Sequence, residues 1–231
     1  MSCRHLLDRK QRAFESRPDK DRLIDRINSG RQALDEFLDR FPFHRKPEKI
    51  HELTPEKLFN PGSDDYFFLW IGWRLKALGA IGLGDANVFR NAADSLDQFK
   101  KLLLLVVDGS KSLAEKIDAT WEDVTGFGRD RQIAKKIVAS YFPAETLPIF
   151  NTEHMEYFAK HLQVDIDAES RQKYNLHYAD VTLKVGQKWE LLTEALLERK
   201  DHHEALRAKD NVYFMYVLYF TPPAPLPNNL L

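Results

Sequence analysis

Cysteine is almost absent from this chain of 231 residues, since Cys3 is the single one. A lone thiol excludes an internal disulfide and every zinc site built from several cysteines. Long apolar runs are also lacking, and none reaches the roughly 18 to 20 residues that span a bilayer. The N-terminal stretch 1–12 mixes Arg4, Asp8 and Arg9 without an apolar core, so it does not resemble a signal peptide. We therefore expect a cytoplasmic protein.

An excess of charge of either sign is equally lacking. The chain has 34 Lys and Arg residues against 35 Asp and Glu residues, a net charge of −1. It is therefore not a general polycation, and a nucleic-acid site would have to be a local basic patch. Apolar residues are plentiful: 43% of the chain is hydrophobic and 12% is aromatic. This composition favours a folded core over disorder.

Helical spacing of apolar residues dominates the chain and predicts an all-α, multi-helix globular protein. Residues 1–59 are expected to form an amphipathic helical segment. Over 19–41 we expect either one helix or a broken pair, with Ser29-Gly30 as the weak point. Residues 60–220 are expected to form a second helical domain. The tail, 221–231, carries four prolines and is expected to be a linker or a frayed end.

Glycine-rich nucleotide-binding loops are missing. The run 79–84 contains three glycines, but Asp85-Ala86 follows it, whereas a P-loop requires Lys-Ser/Thr. No Gly-x-x-x-x-Gly-Lys-Ser/Thr occurs anywhere in the chain, which excludes a P-loop motor within it. We interpret the run as a loop that closes a buried helix, and we expect no cofactor.

The segment 124–142 carries the strongest functional signal. Val124 precedes Gly126-Phe127-Gly128, and an apolar helix follows, which is close to a helix-hairpin-helix. Glycines let such a turn bring its N–H groups near a phosphate, and the following helix adds its positive dipole end. Lys135 and Lys136 lie off the apolar face of this helix, so they should point to solvent. We predict that duplex DNA is gripped through its backbone by Gly126, Gly128, Arg129, Arg131, Lys135 and Lys136.

An alternative explanation of the same segment is a glycine-rich turn between helices with solvated lysines and arginines. Four basic residues against Asp130 give the segment a local surplus of three charges, on a chain whose total is −1. This surplus favours the DNA-binding interpretation.

The hairpin and the residues after it resemble the helix-hairpin-helix DNA glycosylases. In those enzymes a Pro-containing loop leads to a catalytic aspartate, and here Pro148-Ile149-Phe150-Asn151 lies at a comparable distance. Asn151 stands at the aspartate position, and an amide cannot act as a general base. In the usual hairpin a packing alanine follows the second glycine by four residues, whereas here Ala134 follows Gly128 by six. The resemblance implies a glycosylase or lyase that has lost its catalytic activity, unless Asp123 or Asp130 supplies the catalytic carboxylate. Simple helix capping also explains Asn151.

A second resemblance covers most of the chain, from Asp64 to Phe220. This part of the chain is similar to the helical region ahead of the AAA+ motor in McrB-type restriction proteins, which recognise modified DNA. Several short segments appear in the same order: the aromatic helix and turn 67–84, the hairpin, the helix 134–142, the Pro-Ile-x-Asn segment and the late aromatic helix 212–220. The resemblance implies a non-catalytic DNA-recognition module in a restriction or defence system, with an AAA+ motor and a nuclease as partners.

Remaining candidate sites have simpler explanations. The adjacent histidines of His202-His203-Glu204 diverge by about 100° on a helix, so we expect no metal site there. Trp70, Trp73 and Trp121 are of a type that could stack on a flipped base, but we expect all three in the core. A third hypothesis is a helical protein-interaction module whose aromatic runs, 66–78 and 211–220, form a partner surface. No complete catalytic constellation is present, so we expect no activity from the chain alone.

Overall fold

The computed structural model describes residues 3–83, 86–165, 173 and 182–222. All regular secondary structure in these ranges is helical, which confirms the predicted all-α fold. The α-helices are α1 (Cys3–Glu15), α2 (Lys20–Arg40), α3 (Pro55–Leu58), α4 (Phe67–Gly72), α5 (Val88–Asp94), α6 (Leu96–Val107), α7 (Leu113–Ile117), α8 (Gln132–Tyr141), α9 (Thr152–His161), α10 (Val185–Asp201) and α11 (Asn211–Tyr219). Three 3₁₀ helices span Pro47–Glu52, Arg74–Leu78 and Trp121–Asp123. None of the helices described is both long and apolar enough to cross a bilayer.

Helix α2 is continuous, so the predicted weak point at Ser29-Gly30 is wrong. Gly30 is buried, and a Cβ atom added to it would lie 2.9 Å from Leu78 Cδ2 and 3.0 Å from Ala77 Cβ. The missing side chain lets the 3₁₀ helix 74–78 approach α2 closely. Gly30 therefore serves packing between two helices and does not interrupt the one that contains it.

One hydrophobic core runs through both predicted segments, on either side of residue 60. Lys10 Nζ on α1 donates to the carbonyl oxygens of Leu218 (3.2 Å) and Thr221 (2.8 Å) at the end of α11. The Tyr141 hydroxyl on α8 donates to the carbonyl oxygen of Phe41, 3.1 Å away, directly after α2. Most of the predicted tail, residues 223–231, lies outside the described part of the chain.

An aromatic cluster beneath the hairpin fixes its position. Phe127 is 1% exposed and stacks on Trp121 at 5.7 Å between ring centroids. It also contacts Phe99 at 5.8 Å and Phe68 at 6.1 Å, and Phe68 stacks on Phe89 at 4.4 Å. The middle residue of Gly-Phe-Gly is therefore an anchor that joins the hairpin to α4, α5 and α6.

Candidate nucleic-acid interface

The hairpin turn is short and hydrogen-bonded at both of its ends. The Phe127 N–H donates to Val124 O at 3.1 Å, and the Arg131 N–H donates to Gly128 O at 3.2 Å. Gly126 is exposed and has a φ of 93°, a left-handed value that glycine adopts without strain. A Cβ atom added to Gly128 would meet no atom within 4 Å. The space in front of this part of the turn is open.

Two arginines complete the turn in a conformation that the sequence pattern does not predict. Arg129 has a φ of 57° and Arg131 a φ of 53°, so both residues lie in the left-handed region. That conformation costs a non-glycine residue about 1–2 kcal/mol. The two arginines lie in the stretch between Gly128 and Ala134 that is longer than in the usual hairpin. Surrounding contacts therefore have to hold this stretch in place.

Arg131 supplies such contacts, and its side chain is only 16% exposed. Its guanidinium donates to Ile117 O at 2.5 Å and to the Glu122 carboxylate at 2.9 Å, and it lies 3.5 Å from Asp118. Asp118 in turn accepts the backbone N–H groups of Gly186 (2.7 Å) and Gln187 (3.1 Å) at the start of α10. Arg131 thus ties the hairpin to α7 and α10, and its charge is engaged inside the protein.

Lys135 is fully buried, so the prediction that it points to solvent is wrong. Its Nζ lies 2.6 Å from Asp130 Oδ1, 2.7 Å from Thr152 Oγ1 and 3.1 Å from Phe150 O. Asp130 also accepts the Thr152 hydroxyl and, at 3.0 Å, the Thr152 N–H. Burial lowers the pKa of Lys135, and the Asp130 carboxylate opposes that effect. The pair clamps α8 to the start of α9.

Lys136 is 1% exposed, so the solvent-facing prediction is wrong for this residue as well. Its Nζ donates to Gly79 O at 2.7 Å. Burial, with a smaller contribution from the charge of Lys76, lowers the pKa of Lys136 to about 7. The physical reason is that α8 lies in the centre of the bundle, where every residue from Ile133 to Tyr141 is buried. Neither lysine can reach a phosphate at the surface.

Asn151 caps α9, which confirms the capping explanation. Its Oδ1 accepts the His154 N–H at 3.2 Å, and α9 begins at the next residue, Thr152. Among the carboxylates near the hairpin, Asp130 is committed to Lys135 and Thr152, while Asp123 accepts from Gln98 at 3.1 Å. This arrangement adds no support to the glycosylase hypothesis.

Arg129 differs from the other basic residues of the hairpin because it is exposed. Within the described residues it forms no ion pair or side-chain hydrogen bond. Sequence reasoning did not consider two further cations, Arg90 and Lys76, which are likewise exposed and without an ion pair in those residues. They lie far from the hairpin in sequence, and no local pattern could have found them.

Arg90 lies on an element that contacts the turn, and Lys76 lies near α8. Asn91 Nδ2, next to Arg90, donates to Thr125 O at 3.1 Å. On the other side, Gln132 at the start of α8 accepts the Gly82 N–H at 2.8 Å. Lys76 lies in the 3₁₀ helix 74–78, and its charge contributes to lowering the pKa of Lys136 on α8. We call the resulting set the hairpin surface; it consists of Lys76, Arg90, Gly126, Gly128 and Arg129.

The aromatic runs are mostly inside the protein. In 66–78 the rings of Tyr66, Phe67, Phe68 and Trp70 are buried, and residues 213–218 are buried throughout. Trp121 is also buried, as expected, but the expectation is wrong for Trp73, which is 58% exposed. The runs therefore build the core, and they do not form the broad partner surface that the interaction-module hypothesis requires.

The described residues contain no group of three or more His, Cys, Asp or Glu side chains suited to a metal ion. No protein-family model, curated protein sequence or solved structure matches the chain. Its function is therefore inferred from the geometry of its own residues.

Proposed function

We propose that the protein is a non-catalytic DNA-binding module that holds the nucleic-acid backbone on the hairpin surface. The observation that carries this proposal is a set of free donors. The backbone N–H groups of Gly126, Gly128 and Arg129 donate to no acceptor within the described residues. Successive free N–H groups next to a left-handed residue, here those of Gly128 and Arg129, form a concave site that favours an anion.

Cations around the turn suit the same ligand. Arg129 follows the glycines directly, Arg90 lies on α5, which contacts the turn through Asn91, and Lys76 lies near α8. None of these three cations forms an ion pair in the described residues, so their charges are available to phosphates. A chain of net charge −1 needs a local basic patch to bind DNA. The proposed patch keeps Arg129 from the predicted set. It contains Arg90 and Lys76 in place of Arg131, Lys135 and Lys136.

The biological setting is part of the proposal and is supported by the resemblance to McrB-type restriction proteins. A recognition module of that kind would act in the cytoplasm on double-stranded, modified DNA. Because the chain contains no P-loop, an AAA+ motor and a nuclease would be separate partners.

Salt-dependent binding to duplex DNA tests the proposal. The slope of log K against log salt concentration is negative, and each phosphate contact that is lost should make it less steep by about 0.9. We expect this change for Arg129→Ala and for Arg90→Ala, and a change about twice as large for the double variant. Lys135 and Lys136 should be left intact, because their substitution would disturb the core.

Arg207→Ala is the matched control. Arg207 is exposed and follows α10, whose other end contacts Asp118 near the hairpin. A helix of 17 residues is about 25 Å long, which places Arg207 far from the turn. This variant should keep the parent slope. The proposal fails if the parent does not bind DNA at low salt, or if the Arg129 and Arg90 variants keep the parent slope.

A further inference from the structure

Trp73 differs from the other three tryptophans of the chain. Trp70, Trp121 and Trp189 are at most 2% exposed, and each indole N–H donates to an oxygen about 3 Å away. Trp73 is 58% exposed, and within the described residues its indole N–H has no acceptor and its ring no aromatic partner. Its ring is thus available to a ligand.

The backbone of Trp73 is held by hydrogen bonds on both sides. The Trp73 N–H donates to Leu69 O at 3.0 Å and so closes α4, while its carbonyl oxygen accepts the Lys76 N–H at 3.1 Å in the following 3₁₀ helix. The preceding Gly72 lies against the Phe89 ring, where an added Cβ atom would come within 3.1 Å. Trp73 therefore stands at a rigid junction between two helices, and binding on it would require little ordering of the backbone.

The same packing connects Trp73 to the hairpin surface. Phe89, which covers Gly72, is followed directly by the exposed Arg90. Phe89 stacks on Phe68, and Phe68 contacts Phe127 at the centre of the hairpin. The residue before the exposed indole thus packs on the aromatic cluster that also supports Arg90 and the hairpin.

We propose that Trp73 stacks on an unpaired base, so that the preferred ligand is DNA with a single-stranded segment next to a duplex. The inference rests on the proposed function, because the hairpin surface would hold the backbone while Trp73 receives the base. Every base has a face that stacks on an aromatic ring, and nearby cations suit its phosphates. A purely apolar protein partner would gain nothing from the unpaired charges of Lys76, Arg90 and Arg129.

The test compares a blunt duplex with the same duplex carrying a single-stranded oligothymidine overhang. Iodide quenches exposed indoles selectively, and Trp73 is the one strongly exposed tryptophan of this chain. We expect the overhang probe to protect the fluorescence from iodide and the blunt duplex to protect it much less. Trp73→Ala should weaken binding of the overhang probe about 5- to 150-fold, the range expected from the loss of one base–aromatic stack.

Three variants separate stacking from other causes. Trp73→Phe keeps a ring and should retain most of the preference for the overhang. Trp73→Ala should unfold at the parent temperature, since the side chain is outside the core, and should bind the blunt duplex as the parent does. Arg129→Ala should weaken both probes alike, because it removes a backbone contact.

Each remaining outcome would overturn the inference. If both probes bind equally and Trp73→Ala changes neither, DNA binding stands and the stacking site is refuted. If neither probe binds, the proposed function and the inference fall together. If nucleic acid binds without changing iodide quenching, Trp73 serves another ligand, such as a protein.

Discussion

The Asp130–Lys135 pair shows how a single buried cation is accommodated. An ammonium group donates three hydrogen bonds, and Lys135 Nζ finds three oxygens, on Asp130, Phe150 and Thr152. One of these oxygens carries a negative charge, which offsets part of the cost of removing the ammonium from water. The polar atoms of the cluster are therefore satisfied inside the fold, and the pair is a structural contact between α8 and α9.

Removing the charge of Asp130 alone should therefore be harmful. Asp130→Asn leaves the Lys135 ammonium buried without a counter-charge, and we expect a loss of about 2–3 kcal/mol in the free energy of unfolding, measured with urea. Lys135→Met removes the buried charge itself and should cost less. A parent-like stability for Asp130→Asn would contradict the ion pair.

At the scale of the helix, spacing and caps predicted most elements but not their surroundings. The predicted helices 19–41 and 212–220 agree with α2 and α11 to within one residue at each end, because apolar periodicity is a local signal. The same periodicity misplaced Lys135 and Lys136. It identifies the most apolar face of α8, but whether other helices cover the opposite face depends on residues distant in sequence.

The contact between α7 and α10 depends on a glycine whose role no local pattern reveals. A Cβ atom added to Gly186 would lie 2.5 Å from Ala114 O and 2.8 Å from the Asp118 carboxyl carbon. Because one of these atoms belongs to the backbone, the two helices would have to separate, and the Asp118 bonds to the start of α10 would weaken. We expect Gly186→Ala to lower the free energy of unfolding by about 2 kcal/mol.

Gly109→Ala is the matched control for this prediction, since no atom lies within 4 Å of a Cβ atom at that position. It should change the free energy of unfolding by less than about 0.5 kcal/mol. Equal effects of the two substitutions in urea unfolding would show that α7 and α10 do not pack this closely.

At the scale of the whole molecule, composition predicted a folded helical protein but could not locate its charges. Five lysines are buried, namely Lys10, Lys116, Lys135, Lys136 and Lys200. Lys135 and Lys136 account for much of the surplus of basic residues that the sequence places at the hairpin. Net charge counts a buried cation and an exposed one alike, and only the tertiary structure separates them. The exposed, unpaired cations Arg90 and Lys76 were likewise identified only from the tertiary structure.

A buried lysine with a lowered pKa makes the stability of the whole molecule depend on pH. Burial lowers the pKa of Lys136 from 10.5 to about 7. Between about pH 8 and pH 10 the unfolded chain therefore binds a proton at this amine that the folded chain does not. Lys10 adds to this effect, because burial lowers its pKa to about 8, but the carbonyl oxygens at the end of α11 favour its charged form.

The free energy of unfolding should thus rise with pH, by up to about 1.4 kcal/mol per pH unit from Lys136. Below about pH 7 this contribution is constant, because both states bind the proton. Above about pH 10 the trend should reverse, because burial and the Glu15 carboxylate raise the pKa of Tyr213 to about 12. Urea unfolding at pH 7, 8 and 9 measures the rise. Lys136→Met should remove most of it, whereas Lys49→Met, at an exposed position, should leave it unchanged. Equal slopes in the parent and in Lys136→Met would mean that the Lys136 amine stays charged inside the fold.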